Sequence, residues 1–209
     1  MSPEQQIRML GDELRALADD GIVWSQDDPY HLDRYRRVRR AAAEAFSIAD
    51  ERDVDEIEGT VFSQLTHVAP VPCGDAAIVG DDGRIFLIRR SDDGLWAMPG
   101  GGFHMGETPA AGVAREASEE AGLVVEVHDL VGVYDSRLCG ARSEIQLYQF
   151  VFLCRVVDVC GPTTPDETLD SGWFARHELP ALSPGHDVRV PDVFRFIVDR
   201  RTVFDRPMP

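Results

Sequence analysis

The chain has no run of 18 apolar residues, so nothing in it is long enough to cross a bilayer as a helix. Its N-terminus, MSPEQQIRML, lacks the charged-then-apolar layout of a secretory signal, and a cytoplasmic location is expected. Positive charge is scarce. Against 37 Asp and Glu there are 21 Lys and Arg, giving a formal net charge of -16. Such a balance argues against a general nucleic-acid-binding surface. An anionic substrate must then be held by metal ions and a few local arginines. The four cysteines, Cys73, Cys139, Cys154 and Cys160, show no Cys-x-x-Cys spacing and lie in or near apolar stretches. Buried or partly buried free thiols are expected rather than disulfides or a zinc site. There is no Gly-Lys-Ser/Thr for a Walker-type phosphate loop, and Gly100-Gly101-Gly102, which read as a loop, do not make a dinucleotide fingerprint.

What is present falls into two textures. Residues 1–66 read as a small helical domain. Ile7, Leu10, Leu14 and Leu17 form a stripe at helical spacing that ends at Asp20-Gly21. A second helix begins at Asp28-Pro29 and carries Leu32, Tyr35, Ala42 and Phe46; a third, shorter one holds Val54, Ile57, Val61 and Phe62. These helices are too short to bury much alone, so the block is expected to dock onto the main domain or another subunit. Arg34, Arg36, Arg37, Arg39 and Arg40 read as a solvated face with local ion pairs rather than a nucleic-acid patch.

Residues 67–209 read as an α/β domain, joined through the short Ala69-Pro70-Val71-Pro72 connection. Asp75 to Val79 and Ile85 to Ile88 are expected as strands of a hairpin turning at Gly80-Asp81-Asp82-Gly83. Val124 to Tyr134 and Ile145 to Val156 are strand-like, Trp173-Phe174 begins a last extended piece, and a helix carries Val190, Val193, Phe194 and Ile197. Interleaved strands and helices predict a mixed sheet.

The most informative stretch is Gly101 to Leu123, GGFHMGETPAAGVAREASEEAGL. Thr108 caps, Pro109 suits the first helical position, and Gly122 stops the helix. Ala110, Val113, Ala114, Ala117 and Ala121 form a small apolar flank able to lie close to a sheet. At about 100° per residue, Glu116, Glu119 and Glu120 share one face. Like charges at this spacing destabilise a helix unless neutralised. A hard divalent cation, taking carboxylates plus substrate phosphate oxygens, is the natural neutraliser.

This stretch resembles the Nudix box: Gly, five residues, Glu, seven residues, Arg-Glu, an aliphatic, any residue, Glu-Glu, any residue, Gly, an aliphatic. Gly101, Glu107, Arg115, Glu116, Glu119, Glu120, Gly122 and Leu123 fit, with Ala117 in the first aliphatic slot. Seven fixed identities at about 7% each make a chance match of order one in a million. The resemblance implies a Nudix α/β/α sandwich with a mixed β-sheet, preceded here by the small all-α domain. It also implies hydrolysis of a nucleoside diphosphate linked to another group X, with Mg²⁺ or Mn²⁺ as cofactor. By motif position, Glu116, Glu119 and Glu120 are metal ligands, with a backbone carbonyl from Gly100 or Gly101 as a weaker one. Glu107 and Arg115 would support them.

The motif leaves the general base open between a box glutamate such as Glu119 and an acid of the 164–173 loop, Glu167 or Asp170, with Glu167 favoured. Arg89 or Arg90, ending a strand before Trp96, is expected to reach phosphate. Beyond the box, Leu14-Arg15-Ala16-Leu17-Ala18, Asp33-Arg34-Tyr35, Asp75-Ala76-Ala77, Trp96 to Gly101, Tyr134-Asp135 and Glu178-Leu179-Pro180 are similar to a bacterial subgroup acting on X-linked nucleoside diphosphates, CDP-choline pyrophosphatase included. That similarity implies a homodimer giving a nucleoside monophosphate and an X-phosphate. Pyrophosphatase activity on ADP-ribose or sugar nucleotides, or a silent Nudix-fold sensor, are the alternative readings.

Overall fold

The computed structural model describes residues 3–25, 28–62, 70–141, 146–164 and 166–205, in two compact units, 1–68 and 69–209. Ala69 and Ile145, the side chain of Val61, and Pro165 lie outside the described residues.

In the first unit, α1 (Pro3–Trp24) and α2 (Pro29–Ile48) pack together, followed by α3 (Val54–Ile57) and one π-helical turn (Glu58–Phe62). Asp28 caps α2, its carboxylate accepting from the N–H groups of Tyr30 and His31. Two expectations for α1 are corrected. It does not end at Asp20-Gly21 but continues to Trp24, and its most buried positions are Gly11, Arg15, Ala18 and Gly21 while Leu10 and Leu17 are exposed. Close approach explains both: a Cβ on Gly11 would lie 2.6 Å from the Phe46 ring, and one on Gly21 would run into Tyr35. Gly21 is spent on contact rather than on termination. Two of the arginines of α2 find partners on other elements. Arg39 pairs with Asp19 and stacks over Phe62, and Arg40 pairs with Asp55 and Glu58.

The second unit holds β1 (Val71–Ile78), β2 (Ile85–Arg90), β3 (Trp96–Ala97), β4 (Gly100–Gly102), α4 (Pro109–Ala121), β5 (Leu123–Asp135), β6 (Leu147–Val159), β7 (Thr168–Phe174), α5 (His186–Asp199) and β8 (Val203–Phe204). One mixed sheet runs β4-β1-β6-β5-β8, with β1–β6 and β5–β8 parallel; an antiparallel sheet runs β3-β2-β7. The turn after Val79 forms, Gly83 donating to the Gly80 carbonyl, but the expected hairpin does not continue. Both edges of β1 are already taken by β4 and β6, so β2 leaves to pair with β3 and β7. Trp173-Phe174 ends β7 rather than beginning a strand.

Strand alternation then divides the core. Ala76, Ile78, Phe86 and Ile88 pack with Val113 and Ala117 of α4, whereas Ala77, Ile85 and Leu87 pack with Val190 and Val193 of α5. The result is an α/β/α sandwich with α4 on one side and α5 on the other. All four cysteines are free; Cys160 is exposed, against expectation, because it follows the end of β6.

Candidate active site on helix α4

Helix α4 is delimited as its sequence dictates. Thr108 accepts from the Ala111 N–H, Pro109 occupies the first turn, and Gly122 closes the helix at φ 66°. Gly112, Val113 and Ala117 are buried; at about 100° per residue Glu116 and Glu120 fall between the directions of Gly112 and Val113, and Arg115 and Glu119 lie just beyond Gly112 on the same edge. Glu119 and Glu120 stand in the last turn, where the helix dipole is also negative and the turn itself contains no basic residue.

The glycine run facing this edge is strand β4, not the loop expected from its composition. Asp75, Gly74 and Cys73 pair in register with Gly100, Gly101 and Gly102. The absence of side chains makes the pairing possible: a Cβ on Gly100 would overlap the Gly74 carbonyl oxygen and lie 2.8 Å from the Asp75 Cα. A Cβ on Gly101 would lie 2.6 Å from Glu116 Oε1. The carboxylate of Glu116 therefore rests directly on the strand backbone.

Arg115 ties the site together. Its Nε and Nη2 donate to Glu107 at 3.2 and 3.1 Å, Nη2 donates to the Gly102 carbonyl at 2.9 Å, and Nη1 donates to Glu116 Oε1 at 2.9 Å and Glu119 Oε2 at 2.7 Å. One guanidinium thus contacts Glu107, two box glutamates and the β4 backbone. Burial raises the cost of ionising Glu107, but Arg115 and the His104 N–H outweigh it and hold Glu107 below its ordinary value. Arg115 is itself held above the usual range, first by Glu107.

Glu120 accepts from the Gly100 N–H at 2.8 Å. Burial, only partly offset by that bond and further aggravated by Glu116 and Glu167, pushes it up to about 7. Glu116 is also raised, chiefly by burial. The three box glutamates thus share an edge but do not converge on one point. Among the described residues no three His, Cys, Asp or Glu side chains form a ready metal cage. The Arg115 guanidinium lies between two of the carboxylates and the strand backbone holds the third. The donor set still suits a hard divalent cation: the acceptor atoms are all oxygens, and of the four carboxylates Glu107, Glu116 and Glu119 share the single guanidinium of Arg115 while Glu120 bonds none.

The two arginines at the end of β2 separate. Arg89 donates to the Gly94 carbonyl and sits opposite Trp96 and Asp170. Arg90 lies near enough to Glu120 to favour its ionised form and is held by Asp92 through two bonds, at 2.9 and 2.6 Å. Thr163, Thr164, Glu167 and Thr168 are tied to neighbouring elements. The N–H groups of Thr163 and Thr164 and the Thr164 hydroxyl bond the Glu119 carbonyl, Thr168 Oγ1 bonds the Glu120 carbonyl, and Ser91 donates to the Glu167 carbonyl. The end of α4 needs donors for its last carbonyls, and this segment supplies them. Glu167 is exposed and close to Glu120; Asp170 lies inside β7 rather than in a loop, its carboxylate accepting from the Ser171 N–H.

A buried polar cluster escaped the sequence reading. Arg189, 1% exposed, donates to Asp75 at 2.8 Å and to Gln149 at 2.6 Å and lies 3.2 Å from the His186 ring. Burial opposes ionisation of Asp75, but Arg189 and His186 outweigh it and keep its value low. The signal available was the charge in the apolar strand CGDAAIV; in the helix HDVRVPDVF, Arg189 is one of three charged residues and does not stand out.

A model of the NUDIX domain matches residues 73–193. The chain belongs to the Nudix family. "Putative ADP-ribose pyrophosphatase YjhB" of Bacillus subtilis is 31% identical over 198 residues, 92% of this chain and 93% of that protein. A solved UDP-X diphosphatase superposes with a TM-score of 0.63 at 24% identity, covering 97% and 99% of the two chains, and so supports the fold. An ADP-ribose pyrophosphatase of Streptococcus suis is 30% identical, with a TM-score of 0.55, over 66% of this chain and all of that one. As a Nudix pyrophosphohydrolase the chain acts on small nucleoside diphosphate derivatives, in a family that uses divalent metal ions. No helix among the described residues is long and apolar enough to cross a membrane.

Proposed function

We propose that the enzyme hydrolyses the pyrophosphate bond of a nucleoside diphosphate linked to X, releasing a nucleoside monophosphate and an X-phosphate. CDP-choline-like compounds are one class of substrate. ADP-ribose is the second, favoured by the names of the Bacillus and Streptococcus relatives. The observation that carries the reading is the set Glu107, Glu116, Glu119 and Glu120 gathered around Arg115 against the glycine strand. A silent sensor has no use for all of these acids. Assay of CDP-choline, ADP-ribose, sugar nucleotides and NADH with Mg²⁺ or Mn²⁺ tests it, and turnover of none would overturn it.

Glu116, Glu119, Glu120 and the Gly100 carbonyl would hold Mg²⁺ or Mn²⁺. Bound there, the cation supplies charge neutralisation for the diphosphate and acidifies a water. Arg115 keeps the glutamates in place, and Arg90, beside Glu120, meets a phosphate oxygen, while Arg89 is occupied with Gly94. Glu167 takes the proton of the attacking water. Glu119 is committed to Arg115, whereas no side chain among the described residues bonds the Glu167 carboxylate. Glu167→Gln should therefore lower kcat at least tenfold more than it changes KM, with metal affinity nearly constant. If Glu167→Gln is near wild type and Asp170→Asn or Glu119→Gln is not, the base is one of those instead.

Cation binding should be linked to a proton. Glu120 is raised from 4.5 to about 7, so in metal-free protein its contribution to stability is present below about 4.5 and is lost as pH rises through 7. A cation binds the ionised form. Metal affinity should rise from pH 6 to 8 and flatten above, with proton release near pH 6.5 seen by calorimetry in buffers of different ionisation enthalpy. Glu120→Gln should abolish that release.

The helical unit is proposed to serve the homodimer or the substrate site. Its exposed apolar side chains, among them Leu17, Trp24 and Tyr30, need a cover. Deleting residues 1–66 should cause aggregation, or loss of the dimer with weaker substrate binding. A soluble truncation that keeps its light-scattering mass and kcat/KM would show an independent appendage.

A further inference from the structure

A cavity of about 380 Å³ is lined by Arg90, Leu95, Leu147, Gln149, Ser183 and His186 and floored by Arg189, with no residue of α4 in its described lining. It is joined to the proposed reaction site in two ways. Arg90 is near enough to both Glu120 and His186 to act on their charges. Asp75, which binds Arg189, pairs across the sheet with Gly100, whose N–H holds Glu120. A substrate with its diphosphate at α4 would have this cavity within reach of one end.

The floor is chemically directional. An arginine has only donors, so the Gln149 atom 2.6 Å from Arg189 Nη1 must be the amide oxygen. The Cys139 thiol, 3.4 Å away, points to the same oxygen. The Gln149 amide NH₂ is thereby left for the cavity, with no partner among the described residues, on a side chain only 8% exposed. The other polar groups are committed. Ser183 donates to Asp93, Asp93 also accepts from the Leu95 N–H, Arg90 is held by Asp92, and Arg189 is shared among Asp75, Gln149 and His186.

These commitments exclude two kinds of occupant. A second phosphate would find Arg189 shared among three partners, Arg90 already given to Asp92 and to the diphosphate, and two aspartates at the rim. A quaternary ammonium group would find no Trp, Tyr or Phe among the described residues of the lining. A neutral flat ring between the aliphatic Leu95 and Leu147, carrying an acceptor for Gln149, satisfies what remains.

We propose that this cavity receives the nucleobase of the substrate and that Gln149 selects it by donating to an acceptor on the ring. The assignment rests on the pyrophosphatase reading above. Gln149→Glu is the discriminating variant, because it keeps an acceptor for Arg189 while turning the cavity-facing donor into an acceptor. Binding of AMP, GMP, CMP, UMP and inorganic phosphate is measured by calorimetry on the full chain, with thermal unfolding to check that each variant is folded. Wild type should prefer one nucleotide by about tenfold or more in Kd. Gln149→Glu should erase that preference and leave phosphate affinity within about twofold. Leu95→Trp, which fills the cavity without touching the polar floor, should weaken every nucleotide and spare phosphate.

With NDP-glucose substrates the loss should fall on KM more than on kcat. Base preference unchanged in folded Gln149→Glu, or wild type binding nucleotides no better than phosphate, overturns the assignment. If Gln149→Glu erases nucleotide preference but wild type hydrolyses none of the substrates, the cavity assignment stands and the pyrophosphatase reading fails.

Discussion

Replacing Glu120 by Gln is expected to lower kcat by at least about a hundredfold, a loss near 3 kcal/mol of transition-state stabilisation. Gln preserves the size of the side chain and one acceptor, so the bond from the Gly100 N–H at 2.8 Å survives. What disappears is a negative charge at a half-buried position, where a cation's field is little screened by water. Because the neutral side chain no longer resists burial or repels Glu116, the variant should unfold at the same or a higher temperature than metal-free wild type at pH 8. Lower activity with undiminished stability separates a functional carboxylate from a structural one. Steady-state kinetics with Mg²⁺ and with Mn²⁺, together with a melting curve, check both halves. Retention of more than about a tenth of wild-type kcat sinks the assignment of Glu120 as a metal ligand.

The second large effect is on folding. Gly100→Ala would place a Cβ inside the Gly74 carbonyl oxygen and 2.8 Å from both the Asp75 Cα and its Oδ1. Two of these are backbone atoms of a central strand, which β6 pins on its other edge, so no side chain can swing aside. Strand β4 must detach or β1 must bend, at about 3 kcal/mol or more. For a unit of 141 residues that corresponds to a melting point lower by roughly 6–12 °C. Gly102→Ala is the control, since its Cβ would meet nothing within 4 Å. It should fold as wild type and keep the Arg115 bond to the residue 102 carbonyl. Equal melting points for the two variants would mean that β4 is not the tight strand described.

The sequence by itself determined the parts whose information is local. Thr108, Pro109 and Gly122 bound α4 because caps and stops act within one turn, and helical periodicity alone put Glu116, Glu119 and Glu120 on one edge. Asp28 set the start of α2 in the same way. Where the deciding interaction was long-range, the same residues misled. Gly21 reads as a helix stop but serves as the seat of Tyr35, and Gly100 to Gly102 read as a loop but form a strand, because what the missing Cβ atoms admit comes from elsewhere in the chain. The turn at Gly80 to Gly83 was legible, but the fate of β2 depended on β1's edges being filled by β4 and by β6, some 75 residues away. Only the tertiary structure could bring Asp75, Gln149, His186 and Arg189 together. Asp75 and Gln149 stand in separate strands and His186 and Arg189 on one helix, and the contacts that join them, across up to 114 residues, are set by the packing of the sheet against α5.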